Sequence, residues 1–131
     1  TPATMQADPQ YGDVVAEVCG FLVDRAADAR DAGVEEVWID PGIGFGKTAA
    51  HNWSLLHHLR VLTETGYPVL VGTSRKRFLA TVAGDAPADD RLEGSLATAV
   101  WALSQGAAAV RVHDIAATAH AVRVVAEEVS G

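Results

Sequence analysis

The sequence predicts an α/β fold built on a parallel sheet. Two observations predict it. Short apolar runs alternate with helical patterns, and each apolar run ends in a polar cluster just before the next helix. Such an order makes strands buried on both faces, with polar chemistry gathered at their exits.

The elements follow in order. Thr1 to Tyr11 is polar, contains Pro2 and Pro9, and reads as a loop. Asp13 suits a helix cap, and Val14, Val18, Phe21, Leu22 and Ala29 share one face of a helix over Val14 to Ala32. Gly33 ends it. Val37-Trp38-Ile39 is a short buried strand, and Asp40 to Thr48 is a glycine-rich loop. A helix over His51 to Glu64 turns Leu55, Leu56, Leu59 and Leu62 inward, and Gly66 stops it.

Val69-Leu70-Val71 is the second strand. Ser74 to Ala83 is a loop with a short helix, and Gly84 to Asp89 is a turn region. Leu92, Leu96, Val100 and Leu103 mark the next helix, which Gly106 stops. Ala108 to Val112 is the third strand. Asp114 suits the cap of a last helix through about Val129.

Composition sets outer bounds. The 131 residues make one domain by length. Hydrophobic residues at 49% supply a core. A net charge of −7 argues against a nucleic-acid or acidic-membrane partner. The single Cys19 excludes an internal disulfide framework and reads as a small core residue. With no signal peptide, lipidation motif or long apolar run in the sequence, the expected compartment is the cytoplasm.

Three strands make a poor sheet with helices on both sides. A closed eight-stranded barrel needs about 250 residues. The chain therefore reads as the C-terminal half of a (β/α)8 barrel, of the TIM-barrel type, covering about the last three βα units. A small three-stranded α/β sandwich, complete in itself, is the alternative.

Five of the ten basic residues, Lys47, Arg75, Lys76, Arg77 and Arg111, fall in the strand-exit clusters. An acidic protein with its cations gathered there attracts an anion there. Arg111 and His113 are two residues apart, so they share one side of the third strand, and Val110 and Val112 take the other. A guanidinium fork matches phosphate oxygens, and an imidazole adds a hydrogen bond. The plainer reading is an Arg–Asp salt bridge holding the last turn, with a structural His.

In Gly72-Thr73-Ser74-Arg75-Lys76-Arg77, the glycine allows close approach of a ligand to the backbone. Three consecutive cations at a helix N-terminus oppose the helix dipole, which an anion nearby relieves. A solvated basic turn is the plainer account, and it suits Arg77 best. Asp40 can accept two hydrogen bonds from an amino-substituted nitrogen heterocycle, or serve as a turn residue before Pro41. Phe45 is able to stack on a flat ligand, and Lys47 to bond a carbonyl or phosphate. His51, His57, His58 and His120 lack metal-ligand spacing and read as surface or packing residues. Asn52 reads as a helix N-terminal residue, and Trp38, Trp53 and Trp101 as core.

Taken together, Asp40 to Lys47, Ser74-Arg75-Lys76 and Arg111 to Asp114 resemble, in order and separation, the C-terminal half of dihydropteroate synthase. The resemblance covers essentially the whole chain. It implies a pterin-binding TIM barrel that condenses 4-aminobenzoate with (7,8-dihydropterin-6-yl)methyl diphosphate, giving dihydropteroate and diphosphate in folate biosynthesis. It further implies pterin binding by Asp40, Phe45, Gly72 and Lys76, and aminobenzoate binding by Phe45, Ser74 and Lys76. Arg111 and His113 would bind diphosphate, and Lys76, Arg111 and His113 would be the catalytic set. Mg²⁺ is implied as cofactor, with its ligand N-terminal to Thr1 and no metal ligand in this chain. Residues 1–131 alone are then expected to supply a partial site.

Arg77 stands where many members carry Ser. Two other readings remain at this point: a pterin-dependent methyltransferase, and a non-catalytic paralogue that binds pterin or phosphate. Two half-barrels pairing as a homodimer is also compatible with the sequence.

Overall fold

A computed structural model describes residues 11–44, 47–79 and 91–130. The predicted loop before Tyr11, Phe45, Gly46 and the turn over 84–89 lie outside the described residues. Among the described residues five helices and two strands follow one another: α1 (Tyr11–Asp31), α2 (Ala49–His57), α3 (Arg60–Thr63), β1 (Leu70–Val71), α4 (Leu92–Ser104), β2 (Ala109–Val110) and α5 (Ile115–Ser130), with a 3-10 turn over Arg77–Leu79 before α4.

The strands are parallel. Leu70 pairs with Ala109 and Val71 with Val110. Arg111 N–H extends the ladder to Val71 O at 2.9 Å. On the other side of β1 the predicted first strand shrinks to one parallel bridge, Ile39 to Val69. Ile39 N–H donates to Pro68 O at 2.9 Å and Leu70 N–H to Ile39 O at 3.0 Å. Trp38 does not join it: the ring is 44% exposed and its Nε1 donates to Glu36 Oε1. Three parallel backbone runs thus lie side by side, with β1 in the middle.

The core lies between these runs and the helices. Leu55, Leu56, Leu59 and Leu62 are all at or below 1% exposure, which contributes about 1.5–3 kcal/mol each relative to solvent. They pack with Val14, Ala26, Ile39 and Val69 in one cluster. Val18, Leu22 and Cys19 lean on it from α1. Phe21 does not: it is exposed, and the Arg25 guanidinium lies 5.3 Å from its ring centroid.

Several expectations need correction. The helix predicted over His51 to Glu64 is two helices with a turn at His58-Leu59. Thr48, not a residue of the helix itself, caps α2: its Oγ1 accepts from His51 N–H at 3.1 Å. Asp13 lies within α1 rather than capping it. In α4 the leucine stripe is not the buried face. Ser95, Thr98, Ala99 and Ala102 are buried, and Leu92 is exposed. Small residues let the helix sit close over the sheet. Trp101 is 40% exposed although its Nε1 donates to Leu56 O at 2.7 Å. Trp53 is partly buried and meets Phe78 edge-on at 4.9 Å. Gly33, Gly66 and Gly106 all take positive φ at the predicted helix stops.

Candidate active site

Parallel runs expose their C-terminal ends on one side, so Asp40, Gly72 and Arg111 leave the sheet together. The loop after Ile39 is held from within. Asp40 Oδ1 accepts from Gly42 N–H at 2.8 Å, a tight turn of the kind a carboxylate makes with its own backbone. Lys47 Nζ returns to Gly42 O at 3.0 Å. Gly44 N–H donates to Asn52 Oδ1 on α2 at 2.8 Å. Ile43, at 1% exposure, pins the loop to the core.

That loop closes over Lys76. The Lys76 ammonium donates to Ile43 O across two strand exits. Gly44 has φ 91°, and a Cβ there would stand 2.9 Å from Lys76 Cδ. No other residue type fits that position without moving the lysine stem.

The loop after β1 is tied to α4. Thr73 Oγ1 and Thr98 Oγ1 are 2.6 Å apart and both buried. Arg75 N–H donates to Ser95 Oγ at 2.8 Å, and Arg91 Nη1 donates to Arg75 O at 3.0 Å. Arg75 is held at φ 57°, a left-handed conformation that L-residues avoid. That turn aims successive side chains in different directions: Ser74 inward, Arg75 toward α5, Lys76 toward the glycine loop.

The loop after β2 meets it. Ser74 Oγ accepts from His113 N–H at 3.1 Å and lies 2.9 Å from His113 Nδ1. Arg75 Nη2 and Nε donate to both oxygens of Asp114, at 2.8 and 3.3 Å. Asp114 was expected to cap α5; its carboxylate instead faces Arg75, and its backbone carbonyl accepts from Thr118. The salt bridge expected within the last cluster therefore joins two clusters. Arg111 is exposed and lies over Gly72, whose absent Cβ would come 3.0 Å from a guanidinium nitrogen.

The cations and the Asp40 carboxylate lie close enough to couple electrostatically. Burial pushes the Lys76 ammonium below the ordinary lysine pKa. Arg111 lowers it further, Asp40 opposes that, and Lys47 adds to it. Burial likewise lowers Lys47, against the pull of Asp40. These are the only two lysines in the sequence. Asp114 is held below the usual carboxylate range by its hydrogen bonds to Arg75. The arrangement combines one carboxylate with three cations around an open mouth. It can hold a polar ring on one side and an anion on the other.

The sequence profile of the pterin binding enzyme family matches residues 1–113. The chain belongs to that family. It is 46% identical over 125 residues to the dihydropteroate synthase of Neisseria meningitidis serogroup C, covering 93% of this chain and 44% of that protein. Among solved structures, Xanthomonas albilineans dihydropteroate synthase with 4-aminobenzoic acid aligns at TM-score 0.88 and 45% identity, covering 91% of this chain and 44% of that one. The same enzyme with 7,8-dihydropteroate aligns at TM-score 0.88 and 46% identity, covering 94% and 48%. The chain thus spans less than half the length of these three relatives, and over that stretch it shares the fold of the solved ones.

Membership in the pterin-binding family gives the sequence-predicted residues a common setting. Asp40, Lys47, Gly72, Lys76 and Arg111 come together; His113 joins them through Ser74. Arg77 is exposed on the 3-10 turn, and Phe45 lies outside the described residues. Asn52, Thr73, Ser95 and Thr98 were not predicted as supports. Asn52 left a signal: it shares a helical face with Leu55, Leu56 and Leu59, and is 2% exposed. A polar residue on so apolar a face needs a partner, and Gly44 N–H is that partner.

Proposed function

We propose that this chain supplies about the last three βα units of a dihydropteroate synthase barrel, which joins 4-aminobenzoate to (7,8-dihydropterin-6-yl)methyl diphosphate. One observation carries the reading: the Asp40 carboxylate, the Lys76 ammonium and the Arg111 guanidinium lie within electrostatic reach of one another at the exits of three parallel runs, and His113 is tied to Ser74 in the loop that carries Lys76. The solved relatives that bind 4-aminobenzoic acid and 7,8-dihydropteroate support it.

In this reading Asp40 accepts the ring N–H and amino hydrogens of the pterin. Phe45 and Gly72 line that pocket, and Lys76 donates to a ring acceptor. Phe45 and Lys76 also border the aminobenzoate, with Ser74 at its edge. The amine nitrogen attacks the pterin methylene carbon, the C–O bond breaks, diphosphate leaves with the electron pair, and the new secondary ammonium loses its extra proton to solvent. Arg111 and His113 donate to its oxygens, so charge that develops in the transition state meets donors already in place.

Mg²⁺ would help neutralise the diphosphate. Among the described residues no group of three or more His, Cys, Asp or Glu could hold a metal ion. The soluble-enzyme reading is compatible with the described helices, none of which is long and apolar enough to cross a membrane. A homodimer in a cytoplasmic setting belongs to the same proposal. A pterin-dependent methyltransferase has no diphosphate to hold and gives Arg111 and His113 nothing to do.

The test is turnover by the full-length protein with both substrates and Mg²⁺. Lys76→Ala and Arg111→Ala are each expected to lower it by about a hundredfold. Unchanged product formation in both variants refutes the assignment. Inorganic diphosphate should be retained by the wild type and lost in Arg111→Ala; no retention by the wild type favours the methyltransferase.

A further inference from the structure

Ser74 is 6% exposed, so its hydroxyl has little access to a ligand. Its oxygen instead meets the loop after β2 twice, at His113 N and His113 Nδ1. The direction of the second bond follows from proton counting. The backbone N–H of His113 can only donate, so Ser74 Oγ accepts it. The hydroxyl hydrogen then needs an acceptor of its own. Were Nδ1 protonated as well, the buried oxygen would receive two donors and its own O–H would lack a partner among the described residues. A buried unpaired hydroxyl is disfavoured by a factor of about ten or more. Nδ1 is therefore the acceptor, and the proton of the neutral ring sits on Nε2.

We infer that Ser74 is a positioning residue: its hydroxyl fixes His113 in the Nε2–H tautomer and aims that N–H into the mouth beside Arg111. This rests on the proposed reaction for its purpose, since an anionic leaving group needs a donor there and not an acceptor. The tautomer does not rest on that reaction: it follows from the two contacts of Ser74 Oγ with His113. Ser74 acts on the leaving-group side through His113, and its contact with aminobenzoate is secondary. Arg75 reinforces the alignment, because its fork on Asp114 holds the residue after His113 to the residue after Ser74.

Two measurements on the full-length protein test it. Long-range ¹H–¹⁵N correlation at a pH where the ring is neutral reads the tautomer without any substrate. The wild type should show Nε2 protonated and Nδ1 bare, and Ser74→Ala should shift to a mixture. A wild-type ring protonated at Nδ1, or a Ser74→Ala spectrum identical to wild type, overturns the inference. The second measurement is binding of inorganic diphosphate and of 4-aminobenzoate. Ser74→Ala should weaken diphosphate by about tenfold, a larger loss than it causes for 4-aminobenzoate, with Ser74→Thr restoring diphosphate. Loss confined to 4-aminobenzoate overturns it. If the tautomer is as stated yet the wild type retains no diphosphate, the positioning holds and the proposed reaction fails.

Discussion

The ammonium of Lys76 donates to the carbonyl of Ile43, a residue 33 positions earlier and on a different strand exit. The bond makes the glycine loop and the lysine a single unit, and it explains why the loop carries a glycine where it does. Gly44→Ala should strain the backbone at φ 91° and push into Lys76 Cδ. The expected loss is roughly 1–2 kcal/mol of stability. Denaturant unfolding would measure it, and under the proposed reading pterin affinity should fall with it because Lys76 is displaced.

The two lysines set a pH dependence. Both have lowered pKa values in the folded protein, against 10.5 for the unfolded chain. The unfolded state therefore binds more protons between the lowered values and 10.5, and stability rises with pH across that window. Below the window the penalty for burying the charged forms is fully present; above it, the penalty is gone. Replacing both lysines by Met should flatten this rise, as urea titrations at a series of alkaline pH values would show. An unchanged slope would mean that neither ammonium is desolvated.

Asp114 behaves in the opposite sense. Its pKa is lowered by Arg75, so its contribution is present above the ordinary 3.8 and is lost as pH falls through the lowered value. The stability gap between wild type and Asp114→Asn should be wider at about pH 6 than at about pH 2. Because the pair is partly exposed, added salt should narrow the gap at the higher pH.

The Thr73–Thr98 pair should respond unequally to two isosteric changes. Thr98 Oγ1 donates to Gly94 O at 2.7 Å, so it is the acceptor for Thr73. Thr98→Val leaves a buried Thr73 hydroxyl with no acceptor among the described residues and should cost about 1–3 kcal/mol. Thr73→Val leaves Thr98 its own donation and should cost less. Calorimetric melting of the two variants ranks them; equal losses would mean the hydroxyl bond runs the other way.

Local signals carried much of the site. Asp40, Lys76 and Arg111 were readable because each follows an apolar run, and parallel strands bring such exits together. The leucines at positions 55, 56, 59 and 62 announced their own burial. What the sequence hid depended on partners far along the chain. Asp114 looks like a cap until Arg75 arrives from another loop. The α4 stripe of Leu92, Leu96 and Val100 looks like the inward face, yet close packing selected Ser95, Thr98 and Ala102. Trp38 follows the periodicity of a buried strand, but the run pairs only at Ile39. Phe45, on which part of the ligand argument leaned, lies outside the described residues.

Gly72 has a consequence for which inhibitors the cleft would tolerate. With only a hydrogen where a methyl group would crowd Arg111, the guanidinium can lie flat against bare backbone. A compound that competes for that floor has to displace a planar cation rather than slip past a side chain. Resistance by enlarging residue 72 would then carry a built-in handicap, since the bulk that excludes the drug also tilts the arginine away from the diphosphate proposed to bind there.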